Sequence, residues 1–154
     1  MSRALLTILA VFVGTVAVGA DSSNVAAAAK TYYPSAAWQT KSVLTGDFTC
    51  RRKQEFAILG TSEKYIVIAV FANGLNAKPE ILEYSAAARV AKWAVLAKES
   101  LDFSPGKPED EIGYLPDGFI QSKTCSGLNL SDENTDSAHI YWDAKSKQFR
   151  DWVR

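Results

Sequence analysis

His139 is the only histidine in the chain, so nucleophile-and-base chemistry of the serine or cysteine type would have to run through it. No Gly-x-Ser-x-Gly elbow, Cys/His pairing or HExxH spacing accompanies it. Alternation along Ala138-His139-Ile140-Tyr141-Trp142 puts His139 on the face of Tyr141, opposite Ile140 and Trp142, which reads as a strand residue rather than a base. Paired carboxylates are the other common hydrolytic device, but among 17 acidic residues no spacing nominates two of them. Asp132, Asn134 and Asp136 place oxygen side chains at alternate positions, as the opening of a calcium loop does. An EF-hand would continue with glycine at its sixth position and glutamate at its twelfth. This chain has Ser137 and Asp143 there, so a solvated acidic loop leads and calcium is the weaker reading. Glu109-Asp110-Glu111 lacks ligand spacing and reads as soluble surface.

Cys50 and Cys125 are the only cysteines, and their meaning depends on compartment. Arg3, the uncharged apolar stretch Ala4–Val16 and the small residues Ala17-Val18-Gly19-Ala20 follow the grammar of a secretory signal peptide, with cleavage expected after Ala20. The apolar run is shorter than the roughly 20 residues of a bilayer span, and Asp21-Ser22-Ser23 ends it without a basic stop-transfer flank. A periplasmic or secreted location is therefore expected, with no membrane span after cleavage, and export makes a Cys50–Cys125 disulfide the reading of choice over a catalytic thiol or half of a metal site. The chain-entropy model values the long loop so closed at roughly 4 to 5 kcal/mol. The whole chain carries 17 basic and 17 acidic residues and loses only Arg3 with the leader, so electrostatic attraction to nucleic acid or anionic lipid is not implied.

These groups need a frame. Residues 21–37 are small, polar and alanine-rich, with Pro34 to interrupt a helix, and read as a flexible lead-in to one β-rich domain over 38–154. Ser42-Val43-Leu44 leads into a corner at Gly46-Asp47, and Glu55–Gly60 reads as a short strand. Lys64–Phe71 is the strongest strand signal because Tyr65-Ile66-Val67-Ile68-Ala69-Val70-Phe71 is continuous, β-branched and aromatic. Asn73-Gly74 marks a turn before the alternating strand Glu80–Tyr84. The alanines of Ser85–Lys98 favour a helix, Ser104–Gly118 is a Pro/Gly-rich loop, and Phe119–Thr124 delivers Cys125 as a strand. A hairpin of Ala138–Trp142 with Gln148–Trp152 closes the chain. The expected fold is mainly β, a small antiparallel sheet domain with one short helix and one disulfide.

The most specific local pattern is Gly46-Asp47-Phe48-Thr49-Cys50-Arg51-Arg52-Lys53-Gln54-Glu55, followed by the apolar strand. It resembles, in degenerate form, the calcium-loop corner of FG-GAP and VCBS repeats. Gly46, Asp47, Phe48 and Glu55 match the pattern. Thr49, Cys50 and Arg51 fall where the resemblance would put ligands and a glycine. Three cations, Arg51, Arg52 and Lys53, in the place of a metal imply that a guanidinium takes over the ion's structural part, with Arg51 bridging Asp47 and Glu55.

Tyr141, Trp142, Phe149 and Trp152 crowd the last hairpin, either as core or as an aromatic binding surface. The sequence thus points to a non-enzymatic exported binding protein without a cofactor. Its partner would be another protein or a cell-envelope component rather than nucleic acid, met at loops Ser104–Gly118 and Ser131–Asp136. A periplasmic inhibitor or immunity protein against a cell-wall hydrolase or toxin is one alternative, and a hydrolase using acidic residues is another.

Overall fold

The computed structural model describes residues 20–85, 93–102, 115–132 and 137–153. They form one helix and two antiparallel sheets. The helix α1 spans Ser22–Tyr32, and a short 3-10 turn Thr40–Ser42 separates strands β1 (Ala37–Trp38) and β2 (Leu44–Gly46). The first sheet is completed by β3 (Glu55–Thr61), β4 (Tyr65–Phe71) and β5 (Glu80–Ser85) in the order β1-β3-β4-β5, with β2 also pairing β3. The second sheet is the meander β6 (Val95–Leu101), β7 (Ser122–Ser131), β8 (Ala138–Asp143) and β9 (Gln148–Val153). The mainly β, disulfide-bonded fold read from the sequence is the fold observed.

The helix lies where a lead-in was expected. Asp21 caps it through its carboxylate, which accepts from Ser23 N, and the serine bonds hold that carboxyl below its usual range. Ala26–Ala29 supply helix propensity, and Pro34 falls two residues beyond Tyr32, where it terminates nothing that packing needs. The deciding term is burial: Val25 and Ala29 are wholly covered against Phe56, Ile58, Ala69 and Phe71. The folded unit therefore includes α1 and does not start at Trp38.

The helix also explains the continuous apolar run of β4. Ala69 and Phe71 face α1, whereas Ile66, Ile68 and Val70 face the second sheet, so the strand is buried on both faces. β3 divides in the same way, Phe56 and Ile58 toward the helix and Ala57 and Leu59 toward the other sheet. Across the interior Leu96, Leu128, Leu130, Ile140 and Phe149 complete the main core. Three layers result: helix, sheet, sheet.

The helix expected over Ser85–Lys98 is not formed at either of its described ends, since Ser85 closes β5 and Val95–Lys98 begin β6; residues 86–92 lie outside the described residues. Leu96 buried in the core, with β6 laddered along β7 from Val95↔Ser131 to Ser100↔Ser126, overrides the propensity of the alanines. β7 is longer than the strand read at Phe119–Thr124 and runs on through Cys125 to Ser131. At both sides of the sandwich one side chain crosses between sheets: Glu80 Oε1 accepts from Phe149 N at 2.7 Å, and Lys98 Nζ donates to Thr45 O at 3.3 Å. Each meets a main-chain group on an edge strand.

Candidate functional site

The β2–β3 corner is built around two carboxylates. Asp47 accepts Arg51 N at 2.9 Å and Arg52 N at 2.8 Å, one on each oxygen. Those bonds gather a loop in which Cys50 (φ 56°) and Arg52 (φ 58°) take left-handed backbone, a conformation that costs energy for residues with a Cβ. Glu55, 0% exposed, starts β3 and turns back under the same loop. Its Oε2 accepts Phe48 N at 2.8 Å and Thr49 N at 2.9 Å, and its Oε1 takes the Thr49 hydroxyl and Arg51 Nη2, the latter at 3.2 Å. A buried carboxylate is tolerable here because backbone donors, a hydroxyl and a cation together compensate it.

The guanidinium of Arg51 has three partners: Thr49 Oγ1 at 2.7 Å, Ala72 O at 2.7 Å and Glu55. The expected bridge from Arg51 to both acids is thus divided. Its side chain serves Glu55, while Asp47, its oxygens occupied by amides, meets Arg51 through the backbone. The corner is tied to the second sheet by the Cys50–Cys125 disulfide and by Ser126 N donating to Asp47 O at 3.0 Å.

A third carboxylate, Asp143, organises the β8–β9 turn, a role the sequence reading did not give it. Asp143, 5% exposed, accepts Lys145 N at 2.8 Å, Ser146 N at 3.2 Å and Ser146 Oγ at 2.7 Å, and Arg150 Nε stands 2.9 Å from its Oδ2. The Ser146 hydroxyl, then the turn amides and Arg150, hold its carboxyl below the ordinary range against the opposing effect of burial. Gly118 (φ 85°) lies against it; a Cβ there would sit 2.0 Å from Asp143 Oδ1. The signal was present as an Asp opening the turn Asp143-Ala144-Lys145-Ser146, a side chain that bonds amides two residues on.

His139 is buried, and its Nδ1 lies 2.6 Å from Glu99 Oε1 and 3.4 Å from Asn129 Nδ2. Strand register creates this row, since Asn129 pairs with His139 between β7 and β8 while Glu99 comes from β6. Glu99 was missed because it lies just beyond the Ser85–Lys98 stretch read as a helix, so its strand register was not foreseen. Of the weak calcium set Asp132, Asn134 and Asp136, only Asp132 is among the described residues, as is neither Glu109-Asp110-Glu111 nor most of the Ser104–Gly118 loop. Among the described residues no three His, Cys, Asp or Glu side chains gather as metal ligands would.

Tyr141 and Phe149 of the aromatic hairpin are buried. Tyr141 packs with Leu101, Cys125 and Phe119, and Phe149 lies in the main core with Trp142 edge-on to it at 5.2 Å. Nothing is described of the Trp152 side chain beyond its place on β9. Burial raises the Tyr141 phenol's pKa, with Asp143 adding to the effect.

Two open clefts flank the end of α1. One, of about 600 Å³, is lined by Asn24, Ala28, Thr31, Tyr32, Leu75 and Asn76. The other, of about 270 Å³, is lined by Tyr33, Ser35, Ser62, Glu63, Lys64 and Tyr65.

The fold and corner define a helix-covered antiparallel β sandwich with arginine-stapled and disulfide-tied loops. Comparison with protein-family models, with curated proteins and with solved structures finds no match. Among the described residues no helix is long and apolar enough to cross a membrane, which says nothing of spans made by strands.

Proposed function

We propose that this chain is a non-enzymatic exported binding protein acting by surface complementarity from a rigid sandwich, on another protein or a component of the cell envelope. The observation that carries the reading is how the carboxylates are used: Asp47, Glu55 and Asp143 are turned onto backbone amides and arginines that fix loops. Rigid loops lose less freedom on binding, so more of the contact energy remains as affinity. The corner Gly46-Asp47-Phe48 to Glu55 is, in this reading, a degenerate FG-GAP/VCBS-like loop in which Arg51 does the structural work of an ion. Thr49 Oγ1, Glu55 Oε1 and Ala72 O converge on its guanidinium as oxygens converge on a hard cation.

The disulfide and the signal-like leader support an oxidising compartment outside the cytoplasm. Capture from an envelope extract on the immobilised oxidised protein tests it. A partner enriched over a heat-denatured control is the expected result, and capture equal to that control would overturn the proposal.

A further inference from the structure

The cleft beside the β3–β4 hairpin has the construction of a small-ligand site rather than of an incidental gap. One wall is Tyr33, which is held through its hydroxyl, its ring and its backbone carbonyl. Its hydroxyl donates to Glu83 Oε1, its ring meets Trp38 edge-on at 6.4 Å, and its carbonyl accepts Trp38 Nε1 at 3.2 Å. Trp38 is itself seated on bare backbone, since a Cβ at Gly60 would stand 2.7 Å from its ring. The opposite wall, Tyr65, is held by the hairpin it closes: Ser62 N donates to Tyr65 O at 2.8 Å, and Tyr65 N donates to Ser62 Oγ at 3.2 Å. The Ser35 and Ser62 hydroxyls lie near enough to the Tyr33 phenol to bear on its ionisation, which the Glu83 bond dominates and pushes upward.

Two tyrosines on fixed mounts thus border a space of about 270 Å³ whose remaining groups, Ser35, Ser62, Glu63 and Lys64, all donate or accept hydrogen bonds. Aromatic walls suit a ligand with apolar faces, and the polar rim suits one whose edge is rich in hydroxyl groups. The volume takes one ring, not a folded segment of protein. Two carboxylates, Glu63 and Glu83, against the single ammonium of Lys64 disfavour an anionic ligand.

We propose that this cleft binds one pyranose ring of a neutral or amino-substituted saccharide. The proposal deepens the binding-protein reading by naming a site and a ligand class. Binding of a lone ring is weak, and an oligomer gains by re-engagement along its length.

The test uses the full mature, oxidised protein with three probes, cellotetraose (neutral), a chitosan tetramer (cationic) and trigalacturonate (anionic), followed by amide NMR shifts. The expected result is saturable shifts confined to the amides of residues 33, 35, 62–65 and 83 with the neutral or cationic probe, and none with trigalacturonate. Tyr65→Ala should weaken that binding about tenfold or more, in proportion to a lost aromatic wall. Because Tyr65 is half-buried, Glu63→Gln and Lys64→Gln, both on exposed side chains, serve as fold-neutral partners that should each change affinity measurably. Shifts with none of the probes, or shifts centred elsewhere, overturn the saccharide site. If the envelope capture still succeeds, the binding-protein reading survives that failure. If both fail, it falls too.

Discussion

Replacing Arg51 by methionine keeps the aliphatic stem and removes three charge-assisted hydrogen bonds, to Glu55, Thr49 Oγ1 and Ala72 O. Bonds to charged groups contribute about 1.5–3 kcal/mol each, but water can reach part of this one: the Arg51 side chain is 39% exposed, while Glu55 is 0%. Ala72 O is therefore re-satisfied at little cost, and the main loss is at the buried Glu55 carboxylate, which keeps the amides of Phe48 and Thr49 but loses its cation. The sum comes to about 3 kcal/mol, somewhat under the cost of fully orphaning a buried charge. For a domain of this size that lowers Tm by about 10 °C. Chemical and thermal unfolding of the oxidised protein by circular dichroism measures it. Arg52→Met is the control, because Arg52 enters the corner through its amide only, and it should stay within about 0.5 kcal/mol of wild type. In a double-mutant cycle with Glu55→Gln the two losses should be less than additive by about 1–2 kcal/mol. Equal stability of Arg51→Met and wild type, or strict additivity in the cycle, would refute the stapling argument.

Three other outcomes follow from the same structure. Reducing Cys50–Cys125, or changing both cysteines to serine, should cost roughly 4 kcal/mol and loosen the corner first, measured by urea unfolding with and without reductant. Asp143 has its carboxyl depressed below 3.8, so its contribution is complete above that value and fades as pH falls through the lower folded-state value. Asp143→Asn should flatten the acid limb of the stability curve below about pH 4, which wild-type-like acid unfolding would contradict. Gly60→Ala would press a Cβ into the Trp38 ring and should lower stability by about 1–3 kcal/mol, with a change in Trp38 fluorescence as an independent sign of the displaced ring.

Some of this was legible in the chain and some could not have been. Tyr65–Phe71 announced itself because a run of β-branched and aromatic residues has one economical use, and the hairpin ending in Gln148–Val153 was readable from its turn and alternation. The disulfide was legible from the only two cysteines together with the signal-like pattern of the first residues. The helix α1 was missed because its apolar stripe is made of Val25 and small alanines, too faint a pattern until β3 and β4 offer a surface to cover. β6 was mistaken for helix for the converse reason: Ala97 and its neighbours have helical propensity, and only pairing with β7, remote in sequence, decides against it. At the corner, the residue types Asp47, Arg51 and Glu55 were recognisable, but which carboxylate the guanidinium would choose depends on the left-handed turns at Cys50 and Arg52 that aim the amides at Asp47. The Glu99–His139 pair belongs to register between strands, which no local pattern carries.

The corner is held by its own side chains, with Arg51 donating to Glu55, Thr49 Oγ1 and Ala72 O, and in the proposed reading that guanidinium stands in for a calcium ion. Amide hydrogen exchange of the oxidised protein, in calcium and in EDTA, tests this. The amides of Phe48, Thr49, Arg51 and Arg52 are predicted to be strongly protected, equally in both solutions, and to lose that protection in Arg51→Met. Fast exchange of these four amides, or protection that appears only with calcium, would contradict the account.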